Sequence, residues 1–234
     1  MPHINYGGVE KNVSTISNYL SQKNMQVEVL TCNHNTKKIF NKNIKFIGTK
    51  NKFWQKRHKK IKYLICLSFL FINLLFKKDN IVVFSFQANI YAVLISKLLN
   101  TKIVIRSNTS PQGWSHNFLK NYIYSSVMKF SNGIIVNSLE FKKQFYKFYK
   151  LKVTCIYNPF DKKFVKKKLK RNISINFYKK KYLNILAVGR LTDQKDHLTI
   201  LKAIKNLKNN FKLKLIIIGD GFKQKELSKY IQDN

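Results

Sequence analysis

The sequence predicts a doubly wound α/β fold on parallel strands. Three observations predict it. Short apolar, β-branched runs alternate with amphipathic helical patterns along most of the chain. The connections between them are mostly short. Residues 183–221 read as strand, loop, helix, strand and glycine turn, which is one βαβ unit of a parallel sheet.

Each element follows in order. Gly7-Gly8-Val9-Glu10-Lys11 opens the first helix, with Val9, Val13, Ile16 and Leu20 along one face. Residues 27–32 and 44–47 read as strands. Residues 50–62 are basic and include Trp54, Arg57 and His58; residues 63–76 are then nearly all apolar. Fourteen residues of helix span about 21 Å, short of the roughly 30 Å hydrocarbon core, so this stretch is not expected to cross a membrane. It reads as a buried helix with partial membrane contact, or as an interfacial helix with basic flanks.

Residues 81–86 form the next strand, followed by a helix with Ala88, Tyr91, Ala92, Ile95 and Leu99 on one face. The strand at 103–105 runs into Arg106-Ser107-Asn108-Thr109-Ser110-Pro111. Polar residues just past a parallel strand point into the ligand crevice, so Arg106 and Asn108 are site candidates; a plain Asn/Ser/Pro turn fits equally well. His116, beside Trp114, reads as packing or surface. A helix through Tyr122, Val127 and Met128 leads to a strand at 133–137. Ser138 caps a helix bearing Phe141, Phe145 and Phe148, and a strand at 153–157 ends in Asn158-Pro159-Phe160-Asp161. Residues 164–181 are lysine-rich and weakly patterned.

The strand at 183–188 ends in Gly189, and Asp196 is placed to cap a helix with Ile200, Ala203, Ile204 and Leu207 on one face. A second β-branched run, 215–218, closes in Gly219-Asp220-Gly221. Between the first strand and the helix stand Arg190 and Lys195. A planar guanidinium, an ammonium and the N–H groups of a helix start suit a diphosphate. On charge alone, two solvated surface cations are the plainer reading in a chain this rich in lysine.

Composition bounds the function. A chain of 234 residues with 44% apolar and 14% aromatic content is a globular protein, not a disordered tail. The formal charge is +35, and only four of the 45 basic residues are Arg. A/T-rich codons account for part of the lysine excess but not for the shortage of acids. An anionic partner such as a membrane surface is expected. A nucleic-acid-binding module is the alternative that charge suggests, yet the lysines are spread along the chain and no nucleic-acid-reading motif appears. Cys32, Cys66 and Cys155 are far apart and fit reduced, structural thiols. No DxD, CxxC or His/Cys ligand spacing occurs, and Met1 is not followed by a secretory signal.

G-R-L-x-x-Q-K-D after one strand and I-I-G-D-G after the next resemble the retaining glycosyltransferases of family 4, which have the GT-B fold. The resemblance implies two Rossmann-like domains: residues 1–161 on the acceptor side, a basic linker at 162–181, and an incomplete nucleotide-sugar-binding domain at 182–234. It implies that Arg190 and Lys195 hold the donor diphosphate. Gly7 and Gly8, in a G-G-x-E segment, would face the same phosphates, and Gly189, Gly219, Asp220 and Gly221 would line the donor pocket. Arg106 and Asn108 match an R-N-x-P-like variant of an acceptor- or donor-facing loop, and residues 158–161 match an N-P-x-D segment where the second domain begins.

The implied reaction moves a hexose or HexNAc from a UDP- or GDP-sugar to a glycan or lipid-linked acceptor, with retention, in bacterial surface polysaccharide synthesis. Front-face attack within an ion pair needs no protein nucleophile, metal or cofactor, so no catalytic residue is named. Placement on the inner face of the cytoplasmic membrane would suit a lipid-linked acceptor. Most of the family's first strand is missing from this sequence, and its E-x7-E pair has no counterpart, since Glu226 comes too early. A shortened chain with little transferase activity of its own is therefore expected. An inactive phosphate- or nucleotide-binding relic and a GT-B sugar-nucleotide epimerase are the other readings.

Overall fold

The computed structural model describes residues 7–32, 39–49, 51–55, 57–76, 80–111, 117–169, 181–207 and 210–233. Trp114, His116 and the greater part of the 162–181 segment lie outside them, as do the residues ahead of Gly7. The chain divides into two compact units, Met1–Lys162 and Lys163–Asn234.

In the first unit, α1 (Gly8–Gln22) leads to β1 (Glu28–Leu30) and β2 (Lys45–Ile47), which pair in parallel. Next come α2 (Lys52–Gln55), α3 (Lys59–Phe76), β3 (Val82–Ser85), α4 (Asn89–Leu98), β4 (Lys102–Ser107), α5 (Phe118–Met128), β5 (Gly133–Val136), α6 (Leu139–Tyr149) and β6 (Thr154–Cys155). Strands β3 to β6 form one parallel sheet in chain order. Every crossover then steps the same way, so right-handed connections set α4, α5 and α6 on one face. Parallel pairing also brings all strand C-termini, and the loops that leave them, to one edge.

The core of this sheet is apolar. Ile103, Ile105, Val136, Val93 and Phe145 are each 0% exposed, and Met128, Leu70, Leu74, Leu151 and Val153 join them. Strand β4 is buried from Ile103 onward except for half-buried Val104, as expected of an inner parallel strand covered on both sides. Ser138 caps α6 as the sequence predicts, its side chain accepting from Phe141 N at 3.1 Å. A second cluster, Val13, Val29, Phe40 and Ile44, holds α1 against β1 and β2.

Several predicted faces shift. Helix α3 begins at Lys59, four residues before the apolar run, because lysine is a good helix former and its head stays in water. On α1 the buried residues are Asn12, Val13, Ser14 and Ser17, while Val9, Ile16 and Leu20 are only half-buried. Small polar side chains allow close approach, and Asn12 and Ser14 carry their own hydrogen bonds inward. Tyr91 points outward from α4, where Ala92, Val93 and Ser96 are buried instead. Phe148 of α6 is exposed.

In the second unit, α7 (Lys162–Leu169, beginning on the boundary residue) precedes β7 (Leu183–Val188), a 3-10 turn at Asp193–Lys195, α8 (His197–Leu207), β8 (Leu213–Ile218) and α9 (Gln224–Gln232). β7 and β8 are parallel, from Leu183↔Leu213 to Val188↔Ile218. Leu191, Leu201 and Leu227 form the core with Leu198, Leu215, Ile217 and Tyr230. The inward stripe of α8 is therefore Leu198 and Leu201, and Ala203 and Leu207 of the predicted face are exposed. β7 reads from sequence as a buried strand. Only one face is covered among the described residues, and Leu186, Val188 and Ile218 stand exposed on the other.

Phe145 is the largest apolar side chain buried completely. Phe145→Ala is expected to destabilise the first unit by about 3–5 kcal/mol through lost burial and a residual cavity. Urea unfolding should show a lower midpoint with an unchanged slope.

Candidate functional site

In the second unit the β7–β8 ladder continues past both strands into the loops. Gly189 N donates to Ile218 O at 3.0 Å, Leu191 N to Asp220 O at 2.9 Å and Lys223 N to Leu191 O at 3.1 Å. The loops touch backbone to backbone, and this is why glycine stands where it does. A Cβ on Gly219 would run into the Gly189 carbonyl, and one on Gly221 into the Leu191 backbone. Gly189, Gly219, Asp220 and Gly221 thus form one tight edge, and Arg190 and Lys195 leave the same loop with exposed side chains.

The stem of Lys195 folds over Gly189, its Cγ and Cδ 3.6 Å from where a Cβ on that glycine would stand. The 3-10 turn ends at Asp196, whose φ of 44° is left-handed and turns the chain into α8. Asp196 caps α8 as the sequence predicts, accepting from Thr199 N at 3.3 Å and from Thr199 Oγ1 at 2.8 Å. The sequence also predicts N–H groups at this helix start ready for a phosphate. A carboxylate of the chain itself already occupies part of that position, so the loop's pull on an anion comes mainly from its two cationic side chains.

Two residues here carry no sequence signal of their own. Lys223, on the loop before α9, places Nζ 3.0 Å from Asp193 and 2.7 Å from Glu226, pinning the turn to α9. Its hydrogen bond to Glu226, then that to Asp193, raises its pKa. His197 is 5% exposed and lies beside Gly189, and neither ring nitrogen has a hydrogen-bond partner. A buried imidazole normally finds a partner. Its position directly after Asp196 was the only clue available.

In the first unit, α1 starts at Gly8 with Gly7 as its cap, and no side chain caps it. The space a Cβ on Gly8 would fill is open, whereas one on Gly7 would meet the Glu10 carboxylate, which curls back over the helix start. Arg106 is not in a loop, since β4 runs through Ser107. Its side chain is 1% exposed and reaches the end of β6, where Nη2 donates to Ile156 O at 2.9 Å and to Asn158 Oδ1 at 3.0 Å. Asn12 of α1 donates to the same Asn158 oxygen at 2.8 Å. Nε of Arg106 is buried without a partner, and desolvation lowers the pKa of the guanidinium. Arg106 thus joins β4, β6 and α1 through Asn158, which the sequence marks as a turn at the entry to the second domain. Asn108 is half-buried in the loop that follows.

The structure therefore brings Arg190, Lys195, Gly189, Gly219, Asp220 and Gly221 together in one unit, and Gly7, Gly8, Arg106 and Asn108 belong to the other. Among the described residues, no group of three His, Cys, Asp or Glu lies close enough to hold a metal ion. No helix among them is long and apolar enough to cross a membrane.

Comparison with known proteins follows the same division. Residues 6–164 match the family model Glycosyltransferase Family 4, and residues 169–234 match Glycosyl transferases group 1. No curated protein sequence matches. Among solved structures, Anabaena Alr3699/HepE in complex with UDP-glucose is 15% identical, with a TM-score of 0.64 over 99% of this chain and 64% of that one. The apo form of the lipopolysaccharide outer core galactosyltransferase WaaB is 17% identical, with a TM-score of 0.61 over 99% of this chain and 62% of that one. The chain spans less than two thirds of the length of these GT-B structures, which share its mixed α/β architecture of parallel, Rossmann-like sheets. Matched over most of its length by the first of the two models, the chain belongs to the family that model describes, Glycosyltransferase Family 4.

Proposed function

We propose that this chain binds a nucleotide-diphosphate sugar, UDP- or GDP-linked, through Arg190 and Lys195. It would act in transfer of a hexose or HexNAc, with retention, to a glycan or lipid-linked acceptor of bacterial surface polysaccharide synthesis. One observation carries the reading. The loop leaving β7 presents two exposed cations while the loop's own acids are engaged, Asp193 with Lys223 and Asp196 with Thr199. The neighbour crystallised with UDP-glucose is consistent with such a donor. As the sugar–phosphate bond breaks, negative charge grows on the leaving diphosphate, and fixed cations stabilise that charge more than the ground state. Gly219 lets the two loops close backbone to backbone, and the stem of Lys195 packs over Gly189 in the loop that presents both cations. Asp220 and Gly221 would line the donor pocket of the second unit, and Gly7 and Gly8 are proposed as phosphate-binding residues at the start of α1 in the first. Arg106 supports the acceptor side by holding Asn158 and α1 in place, and Asn108 stands in the loop beyond it.

The proposed location is the cytoplasmic face of the membrane, with an anionic bilayer surface as a partner. Residues 50–78 contain no acid. Trp54, Phe53, Leu64, Ile72, Leu75 and Phe76 are exposed along α2 and α3, and the Arg57 guanidinium lies 3.9 Å from the Phe53 ring centroid. Neighbouring α4 adds exposed Tyr91, Leu94 and Leu98. Apolar side chains flanked by lysine, without acids, suit anionic lipid better than an acidic or neutral protein.

Two measurements test these readings. Calorimetry with UDP- and GDP-sugars should show binding that weakens about 10-fold or more in Arg190→Ala and in Lys195→Ala, as expected for loss of a charge-assisted hydrogen bond. Equal affinity in both variants would remove the loop from the donor site. Cosedimentation with phosphatidylglycerol vesicles should exceed that with phosphatidylcholine vesicles, and should fall with added salt and in Leu64→Ser/Ile72→Ser/Phe76→Ser. Equal partition to both lipids would count against the anionic surface.

A further inference from the structure

Two thiols meet in the first unit, away from the residues proposed for the transfer chemistry. Cys32 follows β1 and is 0% exposed; Cys66 lies in α3 and is 9% exposed. Their Sγ atoms are 3.6 Å apart, although the residues are 34 positions apart in sequence. Cys32 Sγ also lies 3.3 Å from the Lys62 carbonyl oxygen, one turn earlier on α3. Nothing intervenes at that separation. A disulfide, with an S–S bond of about 2.05 Å, needs the sulfurs to close by only roughly 1.5 Å.

We propose that Cys32 and Cys66 are a dithiol–disulfide couple, a redox modification site that ties the chain beyond β1 to α3. The hydrogen bond from Cys32 holds Cys66 below the ordinary thiol value, and the same bond, with burial, pushes Cys32 up. Cys66 is the more exposed residue of the two, which makes it the first nucleophile in this proposal. The Cys32 thiol is within reach of the Lys62 carbonyl oxygen as an acceptor, and either thiol can donate in its contact with the other.

The oxidant is a small peroxide. The Cys66 thiolate attacks one peroxide oxygen; an S–O bond forms, the O–O bond breaks, and hydroxide leaves and is protonated to water. Cys32 then loses its proton and attacks the Cys66 sulfur. The S–S bond forms as the S–O bond breaks, and the second oxygen leaves as water. Two thiols lose two electrons in all, and one hydrogen peroxide becomes two waters. A dithiol reductant reverses the change through a mixed disulfide. Cys155, on β6, takes no part and stays a thiol.

The test uses the whole native chain treated with a small excess of hydrogen peroxide, then denatured and alkylated. The expected product is about 2 Da lighter than the reduced chain before alkylation. Its peptide map joins Cys32 to Cys66, with Cys155 as the alkylated thiol, and dithiothreitol restores all three thiols. Cys155→Ser should retain the link, whereas Cys32→Ser and Cys66→Ser should lose it. The wild-type map decides the question even if those two variants fold poorly. Three free thiols after oxidation, a link to Cys155, or oxidation that stops at a sulfinic acid on Cys66 would each overturn the proposal.

Discussion

Parallel pairing governs the rest of this structure. A parallel strand can be followed by another only through a crossover, so each strand's C-terminal end meets the same edge. The backbone groups released there must be satisfied by loops or side chains. Both units meet this demand in different ways. In the second, the two loops prolong the ladder, Gly189 to Ile218 and Leu191 to Asp220. In the first, a guanidinium takes the place of backbone: Arg106 reaches from β4 to the Ile156 carbonyl and Asn158 beyond β6. Polar residues accumulate at one edge because the fold requires them there, and chemistry can then use them.

Charge is distributed unevenly within that frame. The chain carries ten acids against 45 bases. Several of those acids do structural duty: Glu28 pairs with Lys45, Asp193 and Glu226 with Lys223, and Asp196 caps α8. Among the described residues the surplus lysines mostly face solvent, where isolated pairs contribute little to stability and screening is strong. Arg106 is the exception. It is buried and bound to neutral carbonyls, and its lowered pKa records the cost of desolvation.

The parallel α/β order was legible from apolar runs and from caps at Ser138 and Asp196, because these signals are local. Which helix face would be buried was less legible. Periodicity marks Val9, Ile16 and Leu20 on α1, yet the neighbours select Asn12, Ser14 and Ser17, and only the packed sheet supplies those neighbours. The loop carrying Arg190 and Lys195 was readable from its letters. Asn158, His197 and the Cys32–Cys66 pair were not, since each acquires meaning from a residue brought close by the fold.

The Lys223 bridge has a wider consequence. One ammonium both links the 3-10 turn to α9 and partly offsets the acids on either side of it. The hold on the turn and the local balance of charge thus share one side chain. Mobile ions that weaken the bridge would leave the Asp193 carboxylate, already open to solvent, uncompensated beside Arg190 and Lys195. The loop would then become softer and less positive together, so its shape and its pull on an anion cannot be tuned independently.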